Sequence, residues 1–220
     1  MQQLKIYLLG LVLIISACTQ NRSDAQTFRR ATTGGEPKNL TGLAVATFAG
    51  GCFWCTEEIF EELRGVKQVV SGYAGGPEKN PTYEQVGSGQ TGHAESIQVY
   101  YDPKQISYQT LLDVFFLAGH DPTTLNRQGP DAGAQYRSVA FYRTPQEKQL
   151  IEATIKRVDA SKHYASPIVT QVVPFQKFWP AEDYHQGYYR LHPENPYIQS
   201  VSTPKIEKFR KAFKDKITTD

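Results

Sequence analysis

Two cysteines stand three residues apart in Gly50-Gly51-Cys52-Phe53-Trp54-Cys55. Thiolate chemistry needs a sulfur that can lose its proton and be reached. Cys52 follows an apolar run and a Gly pair, and it precedes helical spacing at Ile59, Phe60 and Leu63, so it opens a helix. Free backbone N–H groups at a helix start favour an anion, which is expected to lower the Cys52 pKa. The two glycines allow a tight turn and leave the sulfur accessible. Cys55 lies on the same face one turn later, where its sulfur can reach that of Cys52. The plain alternative is two small buried residues in a helix, since free Cys is often core.

The elements that position this pair are read from runs and periods. Leu43–Ala49 reads as a buried strand, Phe53–Leu63 as a helix and Val66–Tyr73 as a second strand. Gly72–Gly92 is rich in Gly, Pro, Asn and Ser and reads as a long loop, a class of loop that is usually functional. Glu95–Tyr101 is a third strand with Glu95, Ile97, Val99 and Tyr101 on one face. Ser107 caps a helix to Ala118, with Gly119 at the C′ position. Asp121–Gln135 is a second polar loop and Ser138–Tyr142 a fourth strand. Thr144-Pro145-Gln146-Glu147 reads as a capping box with Pro at N1, opening a helix to about Ala160. Ile168–Val173 is a fifth strand, and Lys205–Ile217 a basic amphipathic helix with Ile206, Phe209 and Phe213 on one side. The order β-α-β-β-α-β-α-β begins with a split β-α-β arrangement. The fold class expected is α+β, with a mixed sheet and helices on one face.

The chain of 220 residues has 24 Lys and Arg against 22 Asp and Glu, for a formal net charge of +2. These basic residues are spread along the chain, so nothing favours a nucleic-acid partner, which wants a clustered basic face. Three Cys cannot build a disulfide framework, and two of them with scattered His do not make a tetrahedral metal set. No metal and no cofactor are expected. Met1–Ser16 combines Lys5 with an apolar run, Ile6–Ile15, too short to span a bilayer as a helix. It fits the apolar core of a secretory signal. Ile15-Ser16-Ala17-Cys18 resembles a bacterial lipobox, which implies cleavage before Cys18 and a lipid anchor on it. An ordinary signal with a chance Cys is the alternative. Residues 1–17 are thus expected to be the signal, 18–42 a polar tether and 43–220 the folded domain.

Five ordered blocks, GCFWC, NPTYEQV, TGHAES, AQYRS and AEDYHQGY, resemble peptide methionine sulfoxide reductases of the A type, from about Thr47 to Tyr197. That family's fold is a two-layer α/β sandwich of ferredoxin-like kind. The resemblance implies reduction of the S epimer of methionine sulfoxide, free or in oxidised proteins and peptides. It makes Cys52 the nucleophile and Glu95 the general acid, a carboxyl kept protonated beside aromatic rings. Tyr83 and Tyr136 match two hydrogen-bond donors to the sulfoxide oxygen. Asp131 matches an aspartate that holds the polar network. Phe53 and Trp54 match the aromatic pair around the S-methyl, and His185 a polar residue supporting the pocket. His93 reads as a structural partner. Many members have Gly where Cys55 stands and place recycling cysteines near the C-terminus; here Ile198 and Gly87 occupy positions where Cys is frequent. With Cys18 lipidated, Cys55 is left to resolve the Cys52 sulfenic acid as a disulfide. A thioredoxin-like reductant and a monomer are expected. The competing reading is a thioredoxin-like thiol–disulfide oxidoreductase built on the same CxxC. It leaves Tyr83, Glu95, Tyr136 and the aromatic pair without a role. A surface-binding lipoprotein with no enzymatic activity is the third class.

Overall fold

The computed structural model describes residues 39 and 41–218. The signal segment, Cys18 and most of the tether lie outside the described residues. Along the chain run β1 (Ala44–Gly50), α1 (Phe53–Glu61), β2 (Val66–Ala74), α2 (Tyr83–Gly87), β3 (Ala94–Tyr101) and α3 (Tyr108–Val114). There follow β4 (Arg127–Gln128), β5 (Asp131–Ala132), β6 (Ser138–Tyr142), α4 (Pro145–Ala160), β7 (Gln171–Pro174), β8 (Phe178–Pro180), α5 (Tyr188–Leu191) and α6 (Thr203–Ala212).

The main sheet has the order β7-β6-β1-β3-β2-β8. β3 lies antiparallel between β1 and β2, and β6 joins β1 antiparallel, which is the expected split β-α-β core. β7 adds parallel to β6 and makes the sheet mixed. Alternation along the strands decides which face meets the helices. Ala46, Phe48, Ile97 and Val99 pack with Ile59 and Phe60 of α1, Leu111 and Leu112 of α3, Ile151 of α4, and Ile206 and Phe209 of α6. The opposite face carries a smaller cluster, Val70, Tyr100, Val139 and Phe141, closed by Phe178 with Leu43 and Phe175. The helices therefore cover one face, as the composition of the strands leads one to expect.

Several boundaries differ from the sequence reading. The expected strand at Ile168 starts at Gln171, because the Ile168 N–H goes to Asp159 Oδ1 at 3.0 Å and that of Val169 to Pro122 O at 2.8 Å. β8 was read as no element; it pairs Phe178, Trp179 and Pro180 with Ala74, Tyr73 and Gly72. α3 passes into a π turn at Phe115–Gly119, and a buried His120 ring nitrogen meets Phe115 O at 2.9 Å, so Gly119 is not a left-handed cap. Thr144 caps α4 through Glu147 N, but the Glu147 carboxylate accepts from Arg143 N, so the box is half formed. The C-terminal helix starts earlier, after a π turn at Ile198–Ser202, and ends at Ala212. The loop after β2 holds α2, fixed by a complete capping box between Thr82 and Gln85.

Candidate active site

Cys52 ends the turn that leaves the middle of the sheet. Gly51 has φ +82°, and a Cβ there would lie 2.4 Å from Gln128 Cγ, so only glycine fits both the left-handed backbone and the space. Cys52 is the N-cap of α1, with φ −51° and ψ 118°. Its carbonyl accepts from the N–H groups of Cys55 at 3.2 Å and Thr56 at 3.3 Å. The two thiols lie close enough to shift each other's acidity, and Tyr197 bears on Cys52 in the same way. Cys55 Sγ lies 3.1 Å from Ser202 Oγ.

The acidity of the pair differs from the helix-start expectation. Burial pushes the Cys52 thiol well above its ordinary value, and Cys55 and Glu95 reinforce it. Cys55 is drawn down to about 6, first by its hydrogen bond with Cys52, then by Lys205 and Ser202. The first N–H of the helix, on Phe53, does not serve a sulfur; it donates to Glu95 Oε2 at 3.1 Å. Of the two thiols, Cys55 is therefore the more acidic.

A cavity of about 330 Å³ opens on Cys52, Phe53, Trp54, Tyr83, Glu95, Asp131 and Tyr136, joined by Asn195 and Tyr197. Glu95 is 2% exposed. Burial raises its pKa to about 8 against the Phe53 N–H, with Asp131 and Cys55 adding to the rise, so the carboxyl is largely protonated at neutral pH. Burial also lifts Tyr83 to about 12 and Tyr136 well above its usual value, which keeps both hydroxyls as donors. Tyr83 is held through its backbone: its N–H donates to Glu182 Oε1 at 3.0 Å, while Tyr73 Oη donates to Glu182 Oε2 at 2.9 Å. The turn carrying Tyr136 is tied to α2 by Gln135 Nε2 donating to Gly87 O at 2.8 Å. Asp131 accepts from Tyr197 Oη.

Trp54 stacks on Tyr188 with centroids 3.8 Å apart and planes at 11°. Its Nε1–H donates to His185 Nδ1 at 3.1 Å, which places the His185 proton on Nε2. Burial lowers the His185 pKa to about 4, so the ring is neutral. The structure brings Cys52, Glu95, Tyr83, Tyr136, Phe53, Trp54 and Asp131 to the cavity wall, but Cys55 opens on a neighbouring cavity and His185 stands behind the wall, against Phe53 and Tyr83. His93 is a strut: Nδ1 accepts from Gly76 N at 3.2 Å and Nε2 meets Glu78 O at 2.9 Å. Among the described residues no His, Cys, Asp and Glu cluster could hold a metal.

Sequence reasoning missed Tyr197, which enters there only as the end of the stretch that resembles the family. It also missed the glutamates of α1. Glu57 accepts from Ser71 Oγ and Gly187 N, each at 3.0 Å, and Arg190 pairs with Glu58 and Glu61. These contacts dock the segment that carries Tyr188 against α1. Their signal was two acids inside an apolar helix stripe, visible in Thr56-Glu57-Glu58-Ile59 but uninterpretable without their partners.

The family model described as Peptide methionine sulfoxide reductase matches residues 44–217. The chain is 50% identical over 182 residues to Peptide methionine sulfoxide reductase MsrA 1 of Rhodopirellula baltica, covering 83% of this chain and 93% of that protein. Mxr1 from Saccharomyces cerevisiae in reduced form matches with a TM-score of 0.66 at 34% identity, over 71% of this chain and 90% of that one. Mxr1 in complex with Trx2 matches with a TM-score of 0.50 at 26% identity, over 70% and 89%. The family match runs from β1 past α6 and takes in every residue on the cavity wall, and the 50% identity extends over most of both chains: this chain belongs to the peptide methionine sulfoxide reductase family, A type.

Proposed function

We propose that the chain reduces the S epimer of free or peptide-bound methionine sulfoxide through a Cys52 sulfenic acid, and that Cys55 resolves it. The observation that carries this reading is the shared cavity of Cys52 and the buried, protonated Glu95. The Cys52 proton passes to the Cys55 thiolate, and the Cys52 thiolate attacks the sulfoxide sulfur. Glu95 gives a proton to the oxygen, which ends on Cys52 as sulfenic acid while methionine leaves. Tyr83 and Tyr136 hold the oxygen, and Phe53 and Trp54 hold the methyl. Cys55 then displaces the hydroxyl, forming a Cys52–Cys55 disulfide and water. A thioredoxin-like donor reduces this disulfide; that Mxr1 forms a complex with Trx2 supports such a partner. The role is protein repair after oxidation.

The same reading places the enzyme outside the cytoplasm. Ile15-Ser16-Ala17-Cys18 supports a signal over 1–17, a lipid anchor on Cys18, a tether to residue 42 and a domain over 43–220, in the envelope of a bacterium. The family match begins at residue 44, just after that tether.

The test is turnover of the two epimers of a methionine sulfoxide peptide with a dithiol reductant. Methionine is expected from the S epimer alone. Equal turnover of the R epimer contradicts the epimer assignment. Insulin reduction with no sulfoxide turnover supports the thiol–disulfide oxidoreductase instead.

A further inference from the structure

We propose that Ser202 and Lys205 form a thiolate-holding site for Cys55, so that the start of the C-terminal helix serves the resolving half of the reaction. The inference rests on the reading that Cys55 resolves the sulfenic acid. Ser202 is fully buried at 0% exposure, and its Oγ lies 3.1 Å from Cys55 Sγ, across 147 residues of chain. Ser at a helix start ordinarily caps it, but this hydroxyl makes no cap hydrogen bond. It is therefore free to turn its proton toward a Cys55 thiolate. Lys205 stands in the first turn of α6, where a cation opposes the helix dipole. Its place is explained by the anion across from it: it lines a second cavity, of about 270 Å³, on which Cys55 opens.

Chemistry gives this site two uses. In resolution, Cys55 gives up the proton it took from Cys52, its thiolate attacks the Cys52 sulfur, the S–OH bond breaks, and the hydroxide takes up a proton to leave as water. In recycling, a donor thiolate attacks Cys52, the disulfide breaks, and Cys55 leaves as thiolate into the same site. A stabilised leaving thiolate leaves faster. Around Cys55, Asp131 and Glu95 oppose its charge and Lys205 favours it. Cys52 and Tyr197 adjoin it, and a neutral His120, Asp121 and Lys208 complete the cavity wall.

The test uses Ser202→Ala and Lys205→Met in the full chain. The Cys55 thiolate is titrated by ultraviolet absorbance in a Cys52→Ser background, and disulfide formation is timed by quench-flow mass spectrometry with Cys52 present. Near-ultraviolet circular dichroism checks folding. Removing the hydroxyl is expected to raise the Cys55 midpoint by about one pH unit, the size of one hydrogen bond to a charged group, and to slow disulfide formation about three-fold at about pH 5, where the loss of thiolate outweighs its higher nucleophilicity. Lys205→Met is expected to act in the same direction and less. An unchanged midpoint in Ser202→Ala overturns the proposal, whatever the role of Cys55. A shifted midpoint with no Cys52–Cys55 disulfide in the otherwise unaltered enzyme overturns the resolving role, and the proposal with it.

Discussion

The Phe53 backbone N–H donates to Glu95 Oε2 at 3.1 Å, linking the residue after Cys52 to one 42 positions further on. The contact orients the carboxyl and leaves Oε1 to carry the proton. Burial outweighs it and sets the pKa at about 8. Glu95→Gln keeps an acceptor for Phe53 but has no proton to give. Oxygen transfer in a single turnover is expected to slow by about 10²–10⁴-fold. In the unaltered enzyme the same step is expected to rise with pH through about 6, where Cys55 ionises to take the Cys52 proton, and to fall as pH rises through about 8, where Glu95 ionises. Rapid-quench measurement of methionine release checks both. A rate near that of the unaltered enzyme would remove Glu95 from the mechanism.

The buried glutamates of α1 make stability depend on pH. Burial raises Glu57 to about 8 and Glu58 to about 7, above the usual carboxylate range of about 4 for an unfolded chain. The folded state then holds protons that the unfolded chain releases. This contribution is full below the unfolded pKa and is lost as pH rises through the folded values, on the order of a few kcal/mol in all. Glu57→Gln keeps a partner for Ser71 and for Gly187 and never ionises. Its melting temperature is expected to fall less than that of the unaltered protein between about pH 5 and pH 8. Parallel melting curves across that range would show that Glu57 does not titrate on folding.

The lipid anchor has its own variant. Cys18→Ala is expected to abolish lipidation and to impair processing of the signal, both visible as a mass shift and as loss from the membrane fraction of a bacterial host. Lipid on the variant would refute the lipobox reading.

Much of the site was legible because its residues lie in ordered local blocks. Alternation along β3 put Glu95, Ile97 and Val99 on one face, and that face does meet α1. The capping residues Ser107 and Thr144 were readable for the same local reason. What was missed depends on distant partners. The acidity of Cys52 differs from the helix-start expectation because the sulfur is buried beside Cys55 and Glu95, neighbours that only the fold supplies. Glu57 is buried because Gly187, 130 residues on, supplies a donor. β8 has three residues, too few to show a period, and exists because the β2 edge pairs with it. The π turn at Ile198–Ser202, which sets Ser202 against Cys55, has no hydrophobic period of its own.

In the proposed cycle Cys52 takes the oxygen and Cys55 closes it. Cys52 stands at the N-cap of α1, outside the helix proper, and a disulfide to Cys55 needs their Cβ atoms within the narrow separation such a bond tolerates. The direct measurement is a single turnover on the S epimer without reductant, followed by mass spectrometry of the non-reduced digest, with thioredoxin-dependent rates for Cys52→Ser and Cys55→Ser. One methionine per chain and a Cys52–Cys55 disulfide are expected. Cys52→Ser should give no methionine, and Cys55→Ser about one equivalent before stopping as Cys52 sulfenic acid. Sustained thioredoxin-dependent turnover by Cys55→Ser, or methionine release by Cys52→Ser, would contradict the account.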